Sequence, residues 1–415
     1  MNAIRYAGRT GNKEVFCMAS ADALRRIAEE NGDILRLMPV FVPRRFSTAG
    51  RRLRLHPDDY YAFGLSRGSV KERWFSSIIA AMNGPEAAPD EGMSYVAVDG
   101  DGSQRVLLRD FVQTLGEELL GPTIWQRHGT WPMYSKFFDY DDALFHHLHL
   151  DGEAAARVGR LGKPEAYYYP PQYNAYTGQS PYTYFGFSPD VTRDEVRRRL
   201  LQYEATDNRI TELSRAFRIQ LGTGWYTPAG VVHAPGSCLT YEPQWNSDVN
   251  SVYENVAANE VYPYSFLAEN CPEESMRDVD YIMSLMDWEA NIDPDYRGRF
   301  FRPPVDIARD DDHVERWIVY GNAYIAAKEL TVLPGRTYVS RDETAYGCIL
   351  VQGHGLFGRH EAETPTMLRF GQMSQDEYFV GNAAAQRGVR IVNPSKTEPI
   401  VILKHMPSHG GVPAR

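Results

Sequence analysis

The stretch Phe145–Tyr169 reads FHHLHLDGEAAARVGRLGKPEAYYY, and its three histidines decide how the rest of the chain is read. Side chains alternate along an extended strand, so His147 and His149 share one face while His146 takes the other. Two imidazoles two residues apart are separated by about 7 Å along the strand and can converge on one ion. Gly159 and Gly162 then suit a turn that returns Glu165 onto a neighbouring strand. Far along the chain, TPAGVVH ends in His233, with Pro228 and Gly230 setting a tight turn before the next strand. His147, His149, Glu165 and His233 are therefore candidate metal ligands. Imidazole and carboxylate donors suit Zn, Mn, Fe, Co or Ni, and donor type alone does not choose among them. One buried histidine is ordinarily a hydrogen-bonded core residue; agreement of ligand type and strand spacing across three segments is what argues for a metal. His146 is assigned to packing, facing away from the ion.

A chain of 415 residues is long enough for two or three domains. With 43% hydrophobic residues, the cores need no disulfide or metal staple to fold. Cys17, Cys238, Cys271 and Cys348 form no CxxC pair, which excludes a zinc ribbon and fits a reducing compartment. MNAIRYAGRTGNKEVF lacks the apolar core of a signal peptide, and no apolar run reaches membrane-spanning length. The expectation is a soluble, cytoplasmic protein. A net charge of −10 disfavours nucleic acid as a partner. The Arg-rich segment PRRFSTAGRRLRLHP is read as a solvated surface.

Ser20–Gly32 carries the start, spacing and glycine stop of a short helix. Helical periodicity returns at Asp110–Leu120 and at Thr192–Leu213, which opens with the capping-box pattern TRDE. One more helix is expected at Asp278–Glu289. Elsewhere short apolar runs alternate with Gly, Pro and Asp, as in GWYTPAGVVHAPGSCLTYEPQ and AYGCILVQGHGLF. This texture predicts a mainly β protein of two jelly-roll barrels with inserted and peripheral helices. The expected parts are an N-terminal helical extension (1–39), a metal-binding barrel with a helical insertion (40–256), a connector (257–316) and a C-terminal barrel (317–415). In the last of these, His354 and His360 flank GHGLFGRH without a complete ligand set, and GHG reads as a turn.

Several segments carry a family likeness. KERW at Lys71–Trp74, LLRDFVQTLGEELLG, PMYSKFFDYDDALFHHLHLDGEAA, GKPEAYYY, FGFSPDVTRDEVRRRLL and GWYTPAGVVHAPG occur in this order. YIAAKELTVLPG adds a further match, and the likeness covers roughly residues 45–405. In these segments the chain resembles the type I mannose-6-phosphate isomerases, zinc-dependent sugar isomerases of the cupin superfamily. The resemblance puts Lys136 at the family lysine, His147 at its glutamine ligand, His149 at its histidine ligand, Glu165 at its carboxylate ligand and His233 at its last ligand. It departs in three places, one of them the family's HPDD, which reads HLDG here. His147 replaces glutamine, and in YEPQWNSDVNSVYEN the family's active-site arginine falls on Val252, while Glu242, Gln244, Ser247 and Asp248 are kept.

The resemblance implies two cupin domains and a metal-dependent aldose–ketose isomerase acting on a sugar or sugar phosphate through an enediol. It implies one divalent ion, zinc foremost; the net charge and the absence of a spanning run, rather than the resemblance, argue against a nucleic-acid or membrane partner. Lys136, with its pKa lowered by burial, and Glu242 are the expected catalytic groups. Lys163 and Trp74 are further pocket candidates, and the aromatic run Tyr167–Phe187 is read mainly as packing. Alternatives are an iron dioxygenase, suggested by three histidines with one glutamate, and a non-catalytic sugar-binding descendant, suggested by Val252.

Overall fold

The computed structural model describes residues 6–10, 13–17 and 20–414. Two antiparallel sheets form the metal-site half. The larger runs, strand by neighbouring strand, through Phe301–Arg302, Gly224–Thr227, Glu165–Tyr168, Thr240–Trp245, Met133–Phe138, Ser69–Phe75 and Val40–Arg44. The smaller runs through Ser214–Arg218, Tyr182–Phe187, His233–Ala234, His147–Leu148 and Ser251–Val252. Rings from the two sheets meet in the core: Tyr167 packs against Phe138 of its own sheet at 5.6 Å between ring centroids and against Phe185 of the facing sheet at 6.0 Å. These rings contribute to one continuous core, as expected where aromatic residues supply the largest buried areas.

The second half repeats the plan. One sheet contains Val305–Arg309, His313–Val319, Ile325–Val332, Ile400–Pro407, Tyr346–Gln352, Glu377–Val380 and Ile34–Arg36. The facing sheet contains Thr337–Ser340, Val389–Val392, His354–Phe357 and His360–Glu363. His354 and His360 lie on this outer hairpin, with His354 exposed. The larger sheets of the two halves meet through polar ties. Arg73 grips Asp376 with two bonds of 2.8 Å, and the Tyr241 hydroxyl donates to His405 Nδ1 at 2.9 Å. The mainly β architecture of two barrels agrees with the reading of the sequence.

Several local expectations are refined. The helix Ala21–Glu30 is capped by Ser20, but residues 1–39 also hold strands: Tyr6–Thr10 and Lys13–Cys17 pair with each other, and Ile34–Arg36 joins the C-terminal sheet. Residues 257–316 likewise contribute strands to both halves, Phe301–Arg302 to the first and Val305–Arg309 to the second. The helix expected over Thr192–Leu213 is shorter, Arg193–Leu201, with Thr192 accepting from the Glu195 amide at 3.2 Å. Asp110–Leu120 is divided between Leu108–Leu115 and Glu117–His128 because Gly116 takes a positive φ of 48°. Asp278–Glu289 is two short helices, Val279–Ser284 and Trp288–Asn291. Cys238, Cys271 and Cys348 are free and buried; the Cys17 side chain lies outside the described residues. No described helix is long and apolar enough to cross a membrane.

Candidate metal centre

His147 and His149 enter the barrel from the smaller sheet, where His147 pairs directly with His233. The turn that delivers His233 depends on Gly230, whose φ of +83° favours glycine and whose added Cβ would stand 2.9 Å from the Asp287 amide nitrogen. Glu165 opens a strand of the larger sheet and reaches the histidines from across the core. The three imidazoles lie 4.2–5.0 Å apart between ring centroids. Their ligand atoms fall within 4.8 Å of one another.

The hydrogen bonds assign the same tautomer to each ring. His147 Nδ1–H donates to the Phe145 carbonyl at 3.0 Å, His149 Nδ1–H to that of Val249 at 2.7 Å, and His233 Nδ1–H to that of Val231 at 2.8 Å. A histidine anchored through Nδ1 presents an Nε2 lone pair, the arrangement that orients a metal-binding imidazole. Glu165 Oε2 lies 3.0 Å from His149 Nε2, and Oε1 lies 3.1 Å from His233 Nε2. With the ring protons on Nδ1, these are approaches between acceptors, and neither carboxylate oxygen gains a hydrogen bond from the rings. Buried acceptors so close together call for a cation between them. The residues therefore fit a divalent ion. Lys163 supplies part of that charge, with Nζ 2.9 Å from Glu165 Oε2 and 3.1 Å from His149 Nε2.

Titration follows this packing. Burial, with the neighbouring His233 and His149, pushes His147 well below the usual imidazole range. Burial and Lys163 push His149 down to about 3. Burial would raise Glu165, but Lys163 and the imidazole neighbours outweigh it and hold the carboxyl well below its ordinary range. Neutral imidazoles beside a carboxylate are the protonation states that metal ligands require.

Lys136 and Glu242 are cross-strand partners whose side chains meet at 3.2 Å. The expected lowering of the Lys136 pKa does not occur. Burial lowers it, but Glu242, Glu72 and Asp248 together raise it above the normal lysine value. The ammonium thus stays charged. Glu242 is instead the group moved toward neutrality: burial and the adjacent Glu165 push it up to about 8 against the pull of both lysines.

Other expectations divide by location. His146 turns away and its Nδ1–H donates to Glu254 Oε2 at 2.8 Å. Trp74 is buried outside the cavity and donates to Glu72 Oε2 at 2.8 Å. Lys163 and Tyr167 line the cavity, whereas Tyr168, Tyr169 and Phe185 are core residues. Val252 is buried and pairs with His147, so it presents no charge to the site.

The Arg-rich segment is not uniformly solvated. Arg52 is buried against Asp139 at 2.6 Å. Arg44 enters the cavity wall, with Nε and one terminal nitrogen held by Glu72 at 3.0 Å and a second contact to Asp248 at 2.8 Å. Sequence reasoning missed Arg44 and Glu72 as site residues. The only signal was their placement on neighbouring apolar-flanked strands, Val40–Arg44 and Ser69–Phe75.

No protein-family model matches the chain, and no curated protein matches it in sequence. Its fold, however, aligns with solved structures. Mannose 6-phosphate isomerase from Bacillus subtilis matches with a TM-score of 0.57 and 16% identity, over 90% of this chain and 99% of the other. The chain shares that fold. A putative mannosephosphate isomerase from Archaeoglobus fulgidus matches with a TM-score of 0.59 and 13% identity, over 91% and 98%. A mannose 6-phosphate isomerase bound with zinc and yttrium matches with a TM-score of 0.58 and 11% identity, over 91% and 100%.

Proposed function

We propose that this protein is a metal-dependent aldose–ketose isomerase of a sugar or sugar phosphate. The observation that carries this reading is the juxtaposition, at one cavity, of a buried three-histidine, one-glutamate donor set with the buried Lys136–Glu242 pair. Such a reaction removes a proton from the carbon beside a carbonyl and returns it one carbon along. When bound, a divalent ion, zinc foremost, supplies Lewis-acid stabilisation of negative charge developing on the substrate oxygens. His147, His149, Glu165 and His233 are the residues that would hold it. Fold likeness to zinc-bound and other mannose 6-phosphate isomerases supports the same assignment.

Within this scheme the chain's own groups divide the proton work. Glu242, pushed up to about 8, exchanges a proton near neutral pH and suits a general acid–base role. Lys136, kept cationic, donates hydrogen bonds to a substrate oxygen and steadies Glu242. Lys163, 3.5 Å from Glu242 Oε1, links the proton-moving pair to Glu165. The burial of all three excludes bulk water from the transfer.

Incubation of metal-loaded protein with aldoses, ketoses and their phosphates in D₂O tests the proposal. Deuterium should appear on the carbon beside the carbonyl of the substrate pair. Failure of every sugar to exchange would overturn the isomerase reading, and a sugar bound without exchange would favour a binding protein.

A further inference from the structure

The cavity in front of the candidate ligands has a volume of roughly 280 Å³, just below the ~300–1,000 Å³ common for small-molecule sites. That volume suits one monosaccharide. Its wall carries five cations, and each is already engaged by a carboxylate. Arg44 spends its fork on Glu72 and Asp248, and its remaining terminal nitrogen donates to Asn83 at 2.9 Å. Arg67 grips Glu91 with two bonds of 2.8 Å and donates to the Glu86 carbonyl at 2.9 Å. Lys163 is held by Glu165 and His149, and Lys136, paired with Glu242, is the cation assigned above to the reacting substrate oxygen.

Recognition of a phosphate dianion ordinarily uses guanidinium forks or ammonium groups with donors to spare. Taking a buried partner from Arg44 or Arg67 would leave a carboxylate unpaired in the interior, which is strongly destabilising. Arg45 is the exception: it pairs with Glu86 at 2.6 Å, and both side chains are more than half exposed. Such a surface pair is weak and opens readily. Glu269 and Asp248 also line the cavity as carboxyl groups. The wall is rich in carboxylate acceptors and bound cation donors, the complement of hydroxyl groups.

We propose that this cavity takes an uncharged, hydroxyl-rich monosaccharide in preference to its phosphate ester, a refinement that rests on the sugar-isomerase reading above. The test separates binding class from turnover. Calorimetric titration of metal-loaded protein with mannitol and with mannitol 6-phosphate, neither of which has a carbonyl to isomerise, reports the preference directly. Mannitol should bind about tenfold more tightly than its phosphate. Equal or tighter binding of the phosphate ester overturns the proposal, and loss of that binding in Arg45→Gln would identify Arg45 as the phosphate anchor. Deuterium exchange into mannose and mannose 6-phosphate is measured in parallel. Preferential mannitol binding with no exchange into any sugar of the panel above sustains the ligand class while rejecting the isomerase. Binding of neither alcohol overturns the ligand class as well.

Discussion

Arg73 offers a test of how the two barrels are held together. Its side chain is 1% exposed, sits bidentate on Asp376 and lies 3.2 Å from Glu377. One guanidinium cannot fully offset two buried carboxyls. Burial, reinforced by Asp376, therefore pushes Glu377 up to about 8 despite Arg73. A carboxyl raised in the folded state contributes most below its unfolded value, and the contribution is lost as pH rises through the folded value. Stability should fall between roughly pH 4.5 and pH 8 on account of Glu377, by up to about 5 kcal/mol from a shift of this size. Asp376→Asn removes the competing charge, letting Glu377 ionise and take over as counter-ion to Arg73. The single variant should lose only about 1–2 kcal/mol and show a flatter pH dependence. The double variant Asp376→Asn, Glu377→Gln strands the guanidinium and should lose about 3–5 kcal/mol. For 415 residues, an unfolding entropy of ~2.1 cal/mol/K per residue makes that a fall in Tm of about 3–6 °C. Calorimetry at pH 6 and pH 9 on both singles and the double gives the coupling energy. Strict additivity, or an Asp376→Asn variant as unstable as the double, would refute takeover by Glu377.

Three further outcomes follow from the candidate centre and its supports. Zn²⁺ at 100 times its dissociation constant should add ~2.7 kcal/mol, raising the Tm of the 415-residue chain by about 3 °C. A chelator should reverse the shift, and His147→Ala should abolish it while His146→Ala keeps it. If the isomerase reading holds, Glu242→Gln should lower kcat by roughly 10²–10⁴-fold with metal content unchanged by elemental analysis. Gly230→Ala should destabilise by about 1–3 kcal/mol, read from denaturant midpoints, because the turn before His233 requires a positive φ and sits against Asp287.

The histidines were legible because strand alternation is a local rule: HHLH fixes which two rings share a face without knowledge of any partner strand. Glu165 and His233 were legible because glycine and proline mark the turns that return them. Arg44 and Arg52 were not, since a run of arginines reads alike whether it meets water or buried acids. Their partners Glu72, Asp248 and Asp139 come from other segments. The direction of the Lys136 shift failed for a related reason. Burial can be guessed from an apolar strand, but the three carboxylates that overcome it are assembled only by the fold. Short strands such as Ser251–Val252 carry too little periodicity to be distinguished from loop.

The strand Ile34–Arg36 lies near the start of the chain, yet its partner is Glu377–Val380, near the end. Synthesis from the N-terminus therefore releases this edge strand long before the ribosome has made the residues it pairs with. Until then its amides must be hydrated or borrowed by another edge, which exposes the nascent chain to mispairing. The same arrangement governs dissection of the protein. Cutting between the barrels leaves the C-terminal fragment without an outer strand, so a separately expressed half should fold better when Ile34–Arg36 is supplied in trans.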